Sequence, residues 1–390
     1  MLYTEEDVLD YVEEEDVKFV RLVYFDLSGK QKNATIMASE LTRAFKNGIS
    51  FDASAIPGFE KANKSDLFLF PDPSTLSVLP WRPSTGKVIR MFCDIKNPDG
   101  SPYKKDCRLL LKNAAKKIKE ECSVELQFGT EFEFYLFKLD ENGEATKIPF
   151  DQAGYMDIAP EDKGENIRRN ICFTLEQMGI TPESSHHEAG PGQNEVDFYY
   201  DEPLTAADNA STFKWIVRTK AAENGLYADF SPKPLLDKSG SGLHINIFCS
   251  DKSKTKNILA GILSHMEEIT YYLNPTENSY QRLGEAKAPK FICWGTENRS
   301  ALVRLTSENI PKIEIRSPDP TCNPYLAFTL LIHAAIDGIK KNMIPPEAAA
   351  ENLFDKETAG KVTYDTIPCD LETAKKTAEK SPFIGGILNQ

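Results

Sequence analysis

Residues 129–137 read GTEFEFYLF, and their alternation of acidic and aromatic side chains is the feature that most constrains the fold. In a β-strand, residues two apart point to the same face, so Glu131 and Glu133 share one face. Phe132 and Phe134 then share the opposite face, where they can pack into a core. Two neighbouring carboxylates repel each other unless water or a cation lies between them. This segment is therefore either a solvated edge strand or one wall of a cation site.

Metal-competent side chains recur in three other strand-like segments. Glu188 and Glu195 flank a Gly-Pro-Gly turn, His244 lies in GSGLHINIF, and Glu314 lies in KIEIRS. If these faces converge, the resulting acidic cavity needs divalent cations to balance its charge. Oxygen ligands with one nitrogen and no sulfur favour Mg²⁺ or Mn²⁺ over zinc. His186 has the strand parity of Glu188 and is either a further ligand or, as we favour, a structural or nucleotide-contacting residue.

Cationic residues cluster in the last third of the chain. Metals held by carboxylates usually serve phosphoryl transfer, and arginines offer planar forks for phosphate and carboxylate. The sequence contains no Walker motif and no G-x-G-x-x-G, so we expect metals and arginines, rather than a glycine-rich loop, to hold any nucleotide. The cationic residues are Arg282, Arg299, Arg304, Lys312 and Arg316.

Composition excludes several classes of protein. The formal net charge is -13, which argues against a nucleic-acid partner because phosphate binding needs a basic surface. No apolar run approaches the length of a membrane span, and the acidic start lacks the layout of a signal peptide. Eight cysteines without a C-x-x-C pair fit reduced thiols. We therefore expect a cytoplasmic protein without a membrane or nucleic-acid partner.

The order of elements predicts the α+β class. A helix over residues 4–14 precedes a β-hairpin around 26–29 and further short strands, and the turn-rich NPDGSPYKKD marks a boundary near residue 102. Beyond that boundary, strands and helices alternate irregularly. We predict a β-rich domain over residues 1–102 and a larger domain over 103–390.

Seven segments of the larger domain, in order, resemble the bacterial type I glutamine synthetases, specifically their shorter subgroup. They are FGTEFEFYLF, GYMDIAPEDKGENIRRNI, SSHHEAGPGQNEVDF, KSGSGLHINIF, NPTENSYQRL, ENRSALVRL and IEIRSPDPTCNPYLAF. FVRLVYFDLSGKQKNATI and GISFDASAIPGFEKANKSDLFLFPDPST resemble the N-terminal domain of that family. The resemblance implies a β-grasp-like N-terminal domain and a catalytic domain built on an open, half-barrel antiparallel sheet with flanking helices. It also implies homo-oligomers, either a hexameric ring or a double-ring dodecamer, with active sites between neighbouring subunits.

The resemblance implies a role for individual residues by motif match. One metal would be held by Glu133, Glu188 and Glu195, and the second by Glu131, His244 and Glu314. ATP would contact Glu183, Asn246, Arg299, Arg304 and Lys312. Glutamate would contact Gly240, Arg282 and Arg316. The amine pocket would comprise Asp52, Tyr155 and Glu188, with Asp52 reaching in from a neighbouring subunit, and the catalytic residues would be Asp52, Arg299 and Glu285.

The implied reaction joins L-glutamate and ammonium to form L-glutamine through a γ-glutamyl phosphate, with ATP and two or three Mg²⁺ or Mn²⁺ ions per site. Three departures leave alternatives open. Ala55 replaces a serine of the family, Lys287 replaces the glutamate of a flap that Glu285 could still supply, and the chain ends before the usual C-terminal helical segment. The alternatives are a γ-glutamyl ligase for an organic amine and a catalytically silent regulatory homologue.

Overall fold

The structure is a computed structural model that describes residues 3–285, 287–306 and 311–388. Within these ranges it combines two β-sheets with helices, so the predicted α+β class is confirmed. None of the helices in the described ranges is both long enough and apolar enough to cross a lipid bilayer.

The chain divides into two compact units, the first formed by Met1–Lys112 with Glu176–Gly179 and the second by Asn113–Leu175 with Ile180–Gln390. The predicted domain boundary at residue 102 stays a prediction. The strands of the first unit are β1 Val17–Phe25, β2 Gln31–Met37, β3 Ile49–Asp52, β4 Asp66–Pro71, β5 Ser77–Val78 and β6 Lys87–Lys96. Its helices are α1 Glu5–Glu14 and α2 Leu41–Asn47, and α3 Cys107–Cys122 begins there.

The sheet of the first unit has the strand order β2-β1-β6-β4-β3, with β5 paired to β6. β1 and β6 run parallel, whereas the β1–β2 hairpin predicted from the sequence is antiparallel. Helix α1 begins as predicted after Thr4, whose hydroxyl accepts from the Asp7 backbone N–H at 3.2 Å while the Asp7 carboxylate accepts from the Thr4 N–H at 2.7 Å. This capping box fixes the start of the helix and directs Val8 into the core.

The second unit is built on the larger sheet. Its strands are β7 Leu126–Leu139, β8 Ala145–Pro149, β9 Pro182–His187, β10 Gln193–Asp201, β11 Leu226–Asp229, β12 Leu243–Cys249, β13 Trp294–Thr296, β14 Val303–Leu305 and β15 Ile313–Ile315. Its helices are α4 Glu165–Gln177, α5 Pro203–Glu223, α6 Thr255–Leu273, α7 Glu277–Arg282, α8 Pro324–Lys340, α9 Lys356–Ala359, α10 Leu371–Lys380 and α11 Pro382–Leu388. The strand order is β13-β14-β15-β12-β7-β10-β9, and β8 and β11 also pair with β7.

The predicted two-sided character of β7 is present in the structure. Phe132 and Phe134 are fully buried on one face, and their ring centroids lie 5.1 and 6.2 Å from that of Phe213 in α5. Glu131 and Glu133, which alternate with them, point to the opposite face. Burial of this aromatic layer anchors the sheet, and the carboxylate-bearing face remains available for the site.

Helices α6 and α8 approach each other very closely at two glycines. A Cβ on Gly261 would lie 2.1 Å from the Ala334 carbonyl oxygen, and a Cβ on Gly338 would lie 2.1 Å from the Asn257 carbonyl oxygen. Only glycine permits backbone contact at this distance.

Candidate active site

Strands β7, β12 and β15 bring one group of predicted ligands together. His244 pairs with Glu131 in the β12–β7 register, and Asn246 pairs with Glu314 in the β12–β15 register. The His244 Nδ1 atom lies 3.0 Å from Glu131 Oε2 and 3.7 Å from Glu314 Oε1. The Asn246 amide donates to Glu131 Oε1 at 2.8 Å. Glu131, His244 and Glu314 therefore form a group that could hold a cation.

The β9–β10 hairpin forms the second group. Its turn is closed by hydrogen bonds from the Glu188 N–H to the Gln193 carbonyl and from the Gln193 N–H to the Gly190 carbonyl. Glu195 pairs across the hairpin with His186, whose Nε2 lies 3.4 Å from Glu188 Oε1. Glu188, Glu195 and His186 have ligand atoms within 4.8 Å of one another. The structure thus places His186 beside both predicted metal ligands.

Glu133 lies between the two groups. It pairs with Glu195 in the β7–β10 register, and its Oε1 is 3.9 Å from His244 Nε2. The other carboxylate oxygen accepts from the Gly242 N–H at 2.8 Å and from the Gln193 side-chain amide at 3.2 Å. These donors fix the orientation of the Glu133 carboxylate at the centre of the acidic face.

The acidic face carries more negative charge than its hydrogen-bond donors balance. Burial raises the pKa of Glu195 well above its usual range, and the neighbouring carboxylates, Asp197 first, raise it further. Burial also opposes ionisation of Glu131 and Glu188, but hydrogen bonds from His244 and His186 lower the pKa of each to about 2. Crowded carboxylates with oxygen and imidazole donors match the preferences of Mg²⁺ and Mn²⁺, so these residues fit a divalent cation.

Several of the predicted cationic residues form ion pairs with carboxylates of this face. Arg304 and Arg316 both form ion pairs with Glu314, and Arg316 also donates to the Arg299 carbonyl at 3.2 Å. Lys312 Nζ lies 3.9 Å from Glu131 Oε1. Three of the predicted cationic residues thus border the Glu131 group, where they can also meet phosphate oxygens.

Arg282 is buried against the loop that precedes β12. Its Nη1 donates to the carbonyls of Ser317 and Pro318 at 2.8 and 3.2 Å. A Cβ on Gly240 would lie 2.8 Å from Arg282 Cγ, and one on Gly242 would lie 2.6 Å from Arg282 Nη2. The two glycines therefore leave room for the Arg282 side chain.

A groove of about 830 Å³ lies at the far end of the same strands. It is lined in part by Phe248, Gln127 and Tyr200, and the rings of Tyr200 and Phe248 have centroids 4.0 Å apart. Phe248 has the strand parity of His244, and its register partner Gln127 has that of Glu131. The groove thus continues from the Glu131 group along the strands and offers aromatic surface.

The segment after α7 makes a tight turn. The Ala288 N–H donates to the Glu285 carbonyl at 3.1 Å, and Lys287 has a φ of 71°. Lys287 Nζ donates to Glu188 Oε2 at 3.1 Å and lies 4.9 Å from the centroid of the Tyr155 ring. Glu285 is exposed at the surface of this turn. The structure therefore brings Lys287, Tyr155 and Glu188 together.

Four other predicted residues occupy less enclosed positions. Asp52 ends β3 in the first unit, where its exposed carboxylate accepts from the Ser54 N–H at 2.9 Å. Glu183 and Arg299 are exposed, and Glu183 is the extra residue of a bulge where the β9–β10 register shifts. Tyr155 is 54% exposed. Their predicted roles stay predictions.

The sequence interpretation missed several residues at the site. Asp197 has the strand parity of Glu195, and burial together with the charge of Glu131 raises its pKa to about 6. Alternation along β10 could have identified it. Gln193, which orients Glu133, begins β10 two residues before Glu195, so the same alternation places it on the site face.

Comparison with known proteins agrees with this geometry. The family described as glutamine synthetase, catalytic domain, matches residues 104–390, and the glutamine synthetase beta-Grasp domain matches residues 16–98. The glutamine synthetase of Methanosarcina mazei is 43% identical over 408 residues, covering 99% of this chain and 91% of that relative. The glutamine synthetase of Staphylococcus aureus is 39% identical over 402 residues, covering 98% of this chain and 90% of that relative.

Solved structures share the fold. The GmaS/ADP complex has a TM-score of 0.89 and 26% identity over 98% of this chain and 92% of that chain. The Plasmodium falciparum glutamine synthetase determined by cryoEM has a TM-score of 0.86 at 24% identity, covering 100% of this chain and 93% of that chain, a likeness of fold alone. The predicted β-grasp domain and catalytic domain with its open sheet are confirmed. This chain belongs to the glutamine synthetase family and is a ligase of that type.

Proposed function

We propose that this protein is an ATP-dependent ligase that forms L-glutamine from L-glutamate and ammonium through a γ-glutamyl phosphate. The observation that carries the proposal is the convergence of two groups of potential ligands, Glu131–His244–Glu314 and His186–Glu188–Glu195, on one face of one sheet. Family membership and the groove beyond Asn246 support the same function.

The proposed nucleotide position follows from the order of features along the strands. The base would lie in the groove at Phe248 and Tyr200, and the phosphates would extend past Asn246 toward the Glu131 group. Two or three Mg²⁺ or Mn²⁺ ions would neutralise phosphate charge and polarise the γ-phosphoryl group. Arg304 and Lys312, at the border of that group, would stabilise charge on the transferred phosphoryl.

The remaining residues would bind and orient the other two substrates. Arg282 lies beside Gly240, where its guanidinium would donate hydrogen bonds to the α-carboxylate of glutamate, with Arg316 nearby. Glu188 and Tyr155 would form the ammonium pocket, because a carboxylate and an aromatic face both attract a small cation. A carboxylate reacts poorly with amines, so its activation as an acyl phosphate precedes attack by ammonia.

The deciding experiment measures phosphate release from ATP with glutamate and a panel of amines. Turnover with ammonium that Glu131→Ala and Glu195→Ala abolish supports the proposal. Turnover only with another amine contradicts it, and nucleotide binding without turnover for any amine favours the silent regulatory alternative.

A second candidate, a γ-glutamyl ligase for an organic amine, is favoured by one observation. The Lys287 ammonium lies 3.1 Å from Glu188 and over the ring of Tyr155, within the proposed amine pocket. A lysine there repels ammonium but attracts an amine that carries a carboxylate. If an acidic amine is the acceptor, Lys287→Ala raises its KM, whereas the KM for ammonium falls.

We also propose a ring-shaped homo-oligomer, a hexamer or a double-ring dodecamer, in the cytoplasm. Asp52 would belong to the amine pocket of a neighbouring subunit. Size-exclusion chromatography with light scattering measures the assembly directly.

A further inference from the structure

A cluster of buried charged groups lies behind the β9–β10 hairpin, on the face opposite the proposed cation site. On the site face, Glu195 pairs across the hairpin with His186, and on the back face Asn194 pairs with His187. Both back-face side chains are fully buried. Together with three neighbours they form what we term the back-face network: Asp151, Asp162, Arg168, His187 and Asn194.

The first set of hydrogen bonds in the network joins Asp151 to both ends of the hairpin turn. His187 Nε2 lies 3.0 Å from Asp151 Oδ1, and His187 Nδ1 lies 2.6 Å from the Glu188 carbonyl oxygen. The same Asp151 oxygen accepts from the Gly192 N–H at 2.8 Å. One carboxylate therefore fixes the strand that leads into the turn and the turn itself.

The second set of hydrogen bonds is centred on Arg168. Its guanidinium donates to Asn194 Oδ1 at 2.5 Å and to Asp162 Oδ1 at 3.1 Å, while the Asn194 amide donates to the Gly192 carbonyl at 3.0 Å. A Cβ on Gly164 would lie 2.5 Å from Asn194 Oδ1, so the packing admits no side chain there. Arg168 supplies positive charge beside Asp162 and the imidazole of His187 lies against Asp151, so each carboxylate has a partner within the cluster.

The network also holds the loop that carries Tyr155. Asp151 Oδ2 accepts from the Lys163 N–H at 3.1 Å and so closes residues 151–163 into a loop. The Met156 N–H, next to Tyr155, donates to the His187 carbonyl at 2.9 Å. The segments that carry Tyr155 and the two hairpin carboxylates, Glu188 and Glu195, are thus held by the same buried groups.

We propose that the back-face network positions Glu188 and Glu195 to share one divalent cation and holds Tyr155 beside them. The inference rests on the proposed cation site at these two glutamates. Groups behind metal ligands fix their orientation, and their removal commonly weakens metal affinity about 10–100-fold. The network residues are positioning residues, because they act through the hairpin rather than by touching substrate.

The test is Mn²⁺ binding to the full-length protein, followed by the EPR signal of free Mn²⁺, with metal-free thermal unfolding as a second measurement. Asp151→Asn is expected to weaken binding at the Glu188–Glu195 site about 10–100-fold. Asp208→Asn is the matched control, because Asp208 is buried and accepts from the Tyr325 hydroxyl at 2.6 Å in another part of the unit. It should lower thermal stability without changing Mn²⁺ affinity.

Asn194→Ala provides a second variant in case Asp151→Asn does not fold. It removes the hydrogen bond between Arg168 and Asn194 and keeps the Asp151–His187 pair. We expect about tenfold weaker Mn²⁺ binding. Unchanged affinity in a folded variant overturns the inference. It is also overturned if Asp151→Asn removes one further Mn²⁺ equivalent from the Glu195→Ala protein, because the cluster itself would then be a metal site. If Glu195→Ala binds Mn²⁺ like the wild type, the proposed cation site fails instead.

Discussion

At the scale of single residues, Lys287 is the side chain near Glu188 that departs most from the family pattern, in which a glutamate occupies this position. Its ammonium group contacts Glu188, which is buried, from a side chain that is half exposed. The Lys287 backbone adopts a left-handed conformation in a tight turn. The turn therefore directs a fixed positive charge toward the position where an acceptor amine would bind.

Lys287→Ala is expected to lower the KM for ammonium about fivefold, corresponding to roughly 1 kcal/mol for one partly exposed ion pair. The physical reason is competition between two ammonium groups for Glu188. Steady-state kinetics at saturating ATP and glutamate measure the effect. Lys361→Ala, which removes an exposed lysine paired with Glu357 elsewhere, serves as the control. An unchanged or higher KM for ammonium would contradict the assignment of this pocket.

At the scale of elements, the close contact of α6 and α8 predicts a strict requirement for glycine. A Cβ on Gly261 meets the Ala334 carbonyl at 2.1 Å and the Gly338 Cα at 2.8 Å, so the helices must separate. We expect Gly261→Ala to lower the free energy of unfolding by about 2–3 kcal/mol. Chemical denaturation measures the change. Gly386→Ala in α11, where nothing lies within 4 Å of the added carbon, should not destabilise the protein.

The start of α3 predicts a dependence of stability on pH. Burial raises the pKa of Asp106 to about 6, although its carboxylate accepts from the N–H groups of Ile95 and Arg108. Because the pKa of Asp106 is higher in the folded than in the unfolded protein, protonation of Asp106 favours folding. This contribution to the free energy of unfolding is complete below about pH 4 and is lost as the pH rises to 6. Relative to Asp106→Asn, the wild type should lose about 3 kcal/mol over this range. Denaturant unfolding at several pH values tests this, and a constant difference would refute it.

The helices and strands also differ in how well the sequence predicted them. Strong alternation identified β7 and the hairpin of β9 and β10, and capping residues identified α1. Helix α5 was missed because small residues make it buried on most sides, so no amphipathic stripe marks it. Strands β13 and β14 have three residues each, too few to show a period. Their pairing depends on neighbours distant in sequence.

The site itself was predictable where ligands follow the strand period and not where turns place them. Parity placed Glu131, His244 and Glu314 on the polar faces of their strands, but their grouping was implied by the family resemblance. The contact between Lys287 and Glu188 joins residues 99 positions apart through a turn conformation. No local pattern encodes that distance.

At the scale of the whole molecule, the proposed sharing of sites between neighbouring subunits predicts that two inactive variants complement each other. Asp52 lies in the first unit, and Glu314 lies in the second. If neighbouring subunits share sites, co-expressed Asp52→Ala and Glu314→Ala chains should restore activity in about a quarter of sites, because one heterologous interface in four is intact. Each variant alone is the control. Mixed oligomers without activity would contradict the shared arrangement.

The sheet is aromatic on one face and acidic on the other, and this arrangement restricts insertions and deletions within its strands. Inserting one codon within β7 would rotate every later side chain of that strand to the other side. Acidic groups would then enter the aromatic layer around Phe213, and phenylalanines would enter the catalytic cleft. Insertions and deletions should therefore be confined to the connections between strands, so that new specificities arise in the turns while the strand lengths stay fixed.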